Sequence, residues 1–284
     1  MIVFKTSLEL QIYLQSLKKE GASIGFIPTM GALHKGHISL IDTAKKESKL
    51  AVCSIFVNPA QFNDKQDFEK YPSTIADDIL LLETAECDVL FLPSVEEIYP
   101  NGSDNAKSYH FGDLEHIFEG AQRPGHFNGV GKVVAILLEI VMPDALYMGS
   151  KDFQQCLIVK DLCKQMGLAK QIKFVACPTQ READGLAMSS RNRRLNESQR
   201  AIAGLLYQCL VSIQSKALLD TPFSVVAKEC MDLLLAKNID LEYVSIAEAD
   251  TLTPLKDFDT NKKMVALIAA KIGNVRLIDN MILN

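Results

Sequence analysis

The chain has 284 residues, 48% hydrophobic and 23% charged, with 30 basic residues against 35 acidic for a formal charge of −5. This composition excludes a disordered polymer, and without a basic excess it argues against a nucleic-acid-binding surface. No apolar run reaches the roughly 18 residues of a membrane span, and MIVFKTSLEL has neither the basic nor the long apolar part of a secretory signal, so no membrane attachment is expected.

In chain order, five apolar runs read as buried strands: SIGFIPT (23–29), LAVCSIFV (50–57), DVLFLP (88–93), DALYMG (144–149) and IKFVAC (172–177). Their hydrophobicity is continuous rather than alternating, which predicts strands covered on both faces in a parallel sheet. Helical patterns lie between them: 37–48, a stretch through TIADDILLLETA capped by Ser73, the apolar GVGKVVAILLEIV, and 152–166. Strand and helix in alternation predict an α/β, Rossmann-like, doubly wound domain.

Beyond Cys177 the texture changes. PTQREADGLAMSSRNRRLN is polar and rich in turn formers, an exposed functional loop or a linker. Helices over 197–216 and 223–237 and strands LEYVSIAEAD, MVALIAAKI and VRLIDN then predict a smaller α+β unit. The expected domains are therefore 1–178 and 179–284. The seven cysteines (Cys53, Cys87, Cys156, Cys163, Cys177, Cys209 and Cys230) are scattered and never in C-x-x-C spacing. That pattern predicts buried, reduced thiols in a cytosolic protein.

Four polar clusters follow predicted strands, where an open parallel sheet holds its ligands. In PTMGALHKGH (28–37), Gly31 and Gly36 allow close backbone approach or positive φ, and a helix starting near His37 would point free N–H groups at an anion. His34 and His37 could donate to phosphoryl oxygens; the other reading is an exposed turn. No cysteine or third histidine stands nearby in sequence to complete a metal site. NPAQF (58–62) offers Asn58 and Gln61 to a hydroxyl or carboxylate, or is a simple turn. In GSKDF, Lys151 could face a phosphate and Asp152 could cap a helix or accept from a ribose. AMSSRN supplies two hydroxyls and a guanidinium, suited to a triphosphate yet common in surface loops. RPGHFNGV adds Arg123 and His126 as a flap, an anion contact or only a loop. The Asp77–Asp78 pair suits an early helical turn, and one of them could meet Mg²⁺.

Taken together, PTMGALHKGH, SIFVNPAQF, YPSTIADD, EIYPNG, EGAQRPGHFNGV, MGSKDFQQ, READGLAMSSRN and RLIDN resemble, in order, the pantoate–β-alanine ligase (pantothenate synthetase) family. HKGH also resembles the HxGH signature of the wider nucleotidyltransferase superfamily. The resemblance implies ATP-dependent ligation of (R)-pantoate and β-alanine through pantoyl adenylate, with Mg²⁺, in a cytoplasmic homodimer with a C-terminal lid. By motif, Met30, Gly31, Ala32, Leu33, His34, Lys35, Gly36 and His37 would line the ATP site, with His34, His37 and Lys151 catalytic. Gly149, Ser150, Lys151 and Asp152 would hold ribose and phosphates. Met188, Ser189, Ser190 and Arg191 would close over the triphosphate. Gln61 and Gln155 would bind pantoate, and Asp77 would be the magnesium carboxylate. Gln180 departs from the family, which commonly has a small apolar residue against the nucleotide at that place. Two other readings are a different HxGH nucleotidyltransferase and a silent ATP-binding protein. The first leaves the NPAQF and DFQQ glutamines unexplained, and the second conflicts with the presence of His37, Lys151 and Ser189. No G-x-G-x-x-G follows the first strand to suggest a dinucleotide oxidoreductase.

Overall fold

The computed structural model describes residues 1–62, 68, 71–217, 219 and 221–284. It divides into two compact units, Met1–Ser150 with Gln154–Pro178, and Lys151–Phe153 with Thr179–Asn284.

The first unit carries a six-stranded sheet of β1 (Ile2–Phe4), β2 (Ile24–Thr29), β3 (Leu50–Ile55), β4 (Val89–Phe91), β5 (Ala145–Gly149) and β6 (Lys173–Cys177). The spatial order is β1-β4-β3-β2-β5-β6, and every pairing is parallel. Side chains alternate across the pleat and build a core on each face. On one face Phe26, Val52, Phe91 and Leu146 meet α1 (Ser7–Lys19), α4 (His126–Val141) and α5 (Phe153–Gln165). On the other, Ile27, Cys53, Leu90 and Tyr147 meet α2 (Lys35–Glu47) and α3 (Ile75–Thr84). The doubly wound arrangement follows from the continuous apolar runs, since Ile24 to Ile27 are buried without interruption. β2 lies between β3 and β5, so the order reverses there, and the crevice beyond the carboxyl ends of β2 and β5 is the expected ligand position.

Several local expectations change. β1 is an additional edge strand, too short and too exposed to show a pattern. β6 is the opposite edge and exposes Lys173 and Ala176, so it is not covered on both faces as predicted. Helix α2 starts at Lys35, two residues before His37. Ser73 does not cap α3; Thr74 is the N-cap residue, and its hydroxyl donates 3.1 Å to the Asp78 carboxylate.

The second unit has a four-stranded antiparallel sheet, β10-β9-β7-β8, from β7 (Asp240–Glu248), β8 (Pro254–Leu255), β9 (Met264–Ile272) and β10 (Val275–Ile282). Helices Glu197–Ala203, Leu205–Lys216 and Phe223–Leu235 share its core through Leu206, Leu210, Val226 and Leu234 against Ile246, Ala266 and Ile268. The helix expected over 197–216 breaks at Gly204, where a Cβ would come within 2.9 Å of the Asp184 carboxylate. No described helix is long and apolar enough to cross a membrane.

Candidate active site

The loop after β2 holds an unusual backbone. Gly31 has φ +77° and Ala32 has φ +48°, the latter uncommon outside glycine. The buried Asp78 on α3 stabilises it: Oδ2 accepts the Ala32 N–H at 2.9 Å and Oδ1 the Leu33 N–H at 2.7 Å. A Cβ at position 31 would lie 3.0 Å from both Asp78 Oδ2 and Ile55 Cγ2, so glycine is needed for space as well as for φ.

His34 then caps α2. Its Nδ1 accepts the Gly36 N–H at 3.1 Å, while His37 Nδ1 accepts the His34 N–H at 3.3 Å, a capping box made of two imidazoles. The ring centroids are 4.1 Å apart. Because each Nδ1 accepts a main-chain N–H, each neutral ring carries its proton on Nε2. Two N–H donors thus stand at the positive end of a helix dipole beside the topological switch point. Gly36 acts as a first-turn donor, not as a positive-φ residue.

The NPAQF turn follows β3 and rests on α4. Gly129 permits the contact, for a Cβ there would come 2.2 Å from the Ala60 carbonyl oxygen. Asn58 is 1% exposed and fully engaged. Its Oδ1 accepts from Ala60 N–H at 3.2 Å and Tyr99 O–H at 2.8 Å, and its Nδ2 donates to Gly129 O and Gln61 Oε1, each at 3.1 Å. Among these contacts, the Asn58 side chain orients Gln61. With Oε1 facing Asn58, Gln61 turns its Nε2 toward Met30 Sδ, 2.8 Å away. Buried His126 contributes from α4, with Nδ1 2.9 Å from the Gln61 carbonyl oxygen and Nε2 3.0 Å from Arg123 Nη1. RPGHFNGV is thus a support for the glutamine turn, a role that its sequence leaves open.

At the end of β5, no described residue comes within 4 Å of where a Cβ on Gly149 would stand, which leaves room for close approach to its backbone. Of the two adjacent glutamines that open α5, Gln154 is buried and bonded to main-chain groups of Leu114, Ile117 and Glu119, which leaves half-buried Gln155 as the one suited to a ligand.

Of the other sequence-predicted residues, Ser150 ends the first stretch of the first unit, whereas Lys151, Asp152, Gln180 and Met188 to Arg191 belong to the second. Lys151 pairs with Asp152 at 3.2 Å. Gln180 opens a hairpin in which Met188 N–H donates to Gln180 O at 2.9 Å and Arg181 bridges Ala187. The Gln180 side chain is exposed, so its part in the hairpin is played by the backbone. Ser189 caps the short turn Ser190–Arg194, its Oγ accepting the Arg191 N–H at 3.3 Å.

The two aspartates of α3 divide. Asp78 is buried in the loop contacts above, whereas Asp77 is exposed in the first turn. Among the described residues no three His, Cys, Asp or Glu gather to hold a metal ion. Mg²⁺ takes few protein carboxylates and relies on phosphates and waters, so the donor set fits an ion carried by a nucleotide.

A family profile described as pantoate-beta-alanine ligase matches residues 2–282. A Cytophaga hutchinsonii protein named pantothenate synthetase is 42% identical over 285 residues, covering 100% of this chain and 99% of its own. The crystal structure of pantothenate synthetase from Thermus thermophilus matches with TM-score 0.91 and 37% identity, covering 100% of this chain and 99% of that one. The Francisella tularensis pantoate-beta-alanine ligase, crystallised with beta-gamma ATP and beta-alanine, matches with TM-score 0.83 and 37% identity, covering 100% and 98%.

Proposed function

The chain belongs to the pantoate–β-alanine ligase family, and from that premise we propose how its residues share the joining of (R)-pantoate to β-alanine. The enzyme is an ATP-dependent ligase of pantothenate biosynthesis. A pantoate carboxylate oxygen attacks the α-phosphorus of ATP, the bond to the bridging oxygen breaks, and pyrophosphate leaves. The amine of β-alanine then attacks the acyl carbon of pantoyl adenylate, and AMP departs with the electrons of the C–O bond. A carboxylate is a poor acyl donor, and adenylation gives it a good leaving group. The protein's task is to position reactants and stabilise charge in transfer.

In this reading His34 and His37 donate from Nε2 to phosphoryl oxygens, with Met30 to His37 as one wall of the nucleotide site. The observation that carries it is the imidazole capping box, in which both Nδ1 atoms already accept main-chain N–H groups. Lys151 offsets phosphate charge. Ser189, Ser190 and Arg191 donate to the triphosphate. Gly149, Ser150 and Asp152 hold the ribose end, with Gln180 beside the nucleotide through its backbone. Gln61 and Gln155 bind pantoate. A thioether is a weak acceptor, so a substrate oxygen readily replaces Met30 Sδ as the partner of Gln61 Nε2. Asp77 is the carboxylate that would hold a Mg²⁺ ion, which would supply positive charge beside the phosphates. Seven unbridged thiols fit the reducing cytoplasm, and the family resemblance supports a homodimer.

Supplying ATP with and without pantoate and β-alanine tests the activity. Pyrophosphate release should require pantoate, and sustained AMP release should require β-alanine as well. Pyrophosphate release indifferent to pantoate would sink the assignment.

A further inference from the structure

The second unit buries a charge that the reaction above does not use. Asp279 on β10 is 4% exposed and takes Arg181 in a bidentate pair, Nη1 to Oδ2 at 2.6 Å and Nη2 to Oδ1 at 3.0 Å. Arg181 continues to Gly185 O at 3.0 Å and Asn280 O at 3.2 Å, and its guanidinium lies 4.4 Å from the centre of the Tyr207 ring. Gly185 makes room for that ring, since a Cβ there would stand 1.9 Å from Tyr207 Cδ1. The next residue on the strand, Asn280, is 7% exposed and donates from Nδ2 to the Lys151 carbonyl oxygen at 2.8 Å. Its own N–H donates to Asp279 Oδ1 at 2.8 Å, which ties the two residues into one network.

Such a network is a poor route to stability alone. Burial pushes the Asp279 carboxyl up while Arg181 works against it, and a buried ion pair often does no better than apolar residues of similar volume. What a bidentate guanidinium does supply is fixed orientation. Arg181 is the second residue of the hairpin that runs from Gln180 to Met188, directly before Ser189, Ser190 and Arg191. Asn280 holds the main chain of Lys151, which belongs to this unit although it follows the first unit's β5 within two residues.

We propose that Asp279 and Asn280 are positioning residues for adenylation, one anchor that sets both phosphate-directed segments of the second unit. Asp279 acts through Arg181 on the strap carrying Ser189 to Arg191, and Asn280 acts through the Lys151 carbonyl. The inference rests on the reading of Lys151 and Ser189 as phosphate partners, and a double-mutant cycle separates the two.

ATP affinity is measured by titration calorimetry for the intact enzyme, K151A, N280A and the double variant. N280A should weaken ATP about tenfold, the size of one net hydrogen bond, and less than about twofold once Lys151 is alanine. The KM for pantoate should stay within about twofold of the parent, a split that general loosening of the fold would not produce. An equal N280A loss in both backgrounds, or none at all, overturns the inference while leaving Lys151 its role. Unchanged ATP affinity in K151A overturns the reading of Lys151 and the inference with it. Asn280→Ser is too short to reach the carbonyl but keeps a polar group, and it replaces N280A should that variant not fold. Asp279→Asn against Ser189→Ala runs the same cycle for the other arm, with the same overturning result.

Discussion

In the function proposed above, His34 and His37 each use one ring for two purposes: Nδ1 closes the start of α2, and Nε2 keeps the proton to donate to a phosphoryl oxygen. Substitutions can separate these uses. Asparagine at position 37 can place a side-chain oxygen where Nδ1 stands but has nothing in place of Nε2–H. His37→Asn should therefore slow pantoate-dependent pyrophosphate release by roughly 10²–10³-fold, as loss of a transition-state donor does. Its melting temperature should fall by less than about 4 °C, corresponding to ~1 kcal/mol or less for a chain of this class. A melting loss as severe as the rate loss would make the histidine a structural cap. At this scale the sequence shows the candidate site residues better than their supports. The HKGH histidines and the NPAQF and DFQQ glutamines stand out by type and place. Asp78 reads as half of an acidic pair because its partners, Ala32 and Leu33, are tens of residues away. Nothing local reveals the hydrogen bonds of Asn58 with Tyr99 and Gly129 either.

Between elements, a tight approach that bears on the site is the NPAQF turn against α4, with Gly129 facing Ala60 O at a distance no Cβ could tolerate. Gly129→Ala must push the turn away or bend the helix. The expected cost is about 1–3 kcal/mol of stability, and the KM for pantoate should rise more than that for ATP because Gln61 is in the displaced turn. Urea unfolding together with both KM values checks this; a KM for pantoate that stays unchanged in a destabilised variant would uncouple the turn from the substrate. Elements themselves are largely legible where burial is continuous, as in β2 and β3. They are less so at β1, three residues on an edge, and at the helix break the sequence hides. There Gly204 interrupts an unbroken helical pattern beside Asp184, a neighbour that periodicity does not reveal.

In the molecule as a whole, the parallel order and its reversal at β2 follow from pairings between distant segments, so the sequence predicts the class of sheet but not the place of each strand. Nor does any local pattern assign Lys151–Phe153 to the second unit. The buried thiols do show a global effect. Burial pushes Cys87 up to about 11 and also raises Cys53. An acid whose pKa rises on folding stabilises the protein below its unfolded value, and that contribution is lost as pH climbs through the folded one. Stability should therefore fall between the ordinary thiol value of 9.0 and about 11. Cys87 accounts for roughly 2–3 kcal/mol of that decline. Under reducing conditions, the urea midpoint of Cys87→Ser should decline less steeply over this range; parallel declines would refute the assignment.

All seven cysteines are buried and unbridged, five in the first unit and two, Cys209 and Cys230, in the second. A maleimide added to the native enzyme must wait for an opening before it finds sulfur. Mass mapping of which cysteine peptides are alkylated, and how soon, would time the breathing of each unit separately without any engineered label. A cysteine introduced on the surface would meanwhile react alone, ready to carry a fluorophore while the native seven stay silent.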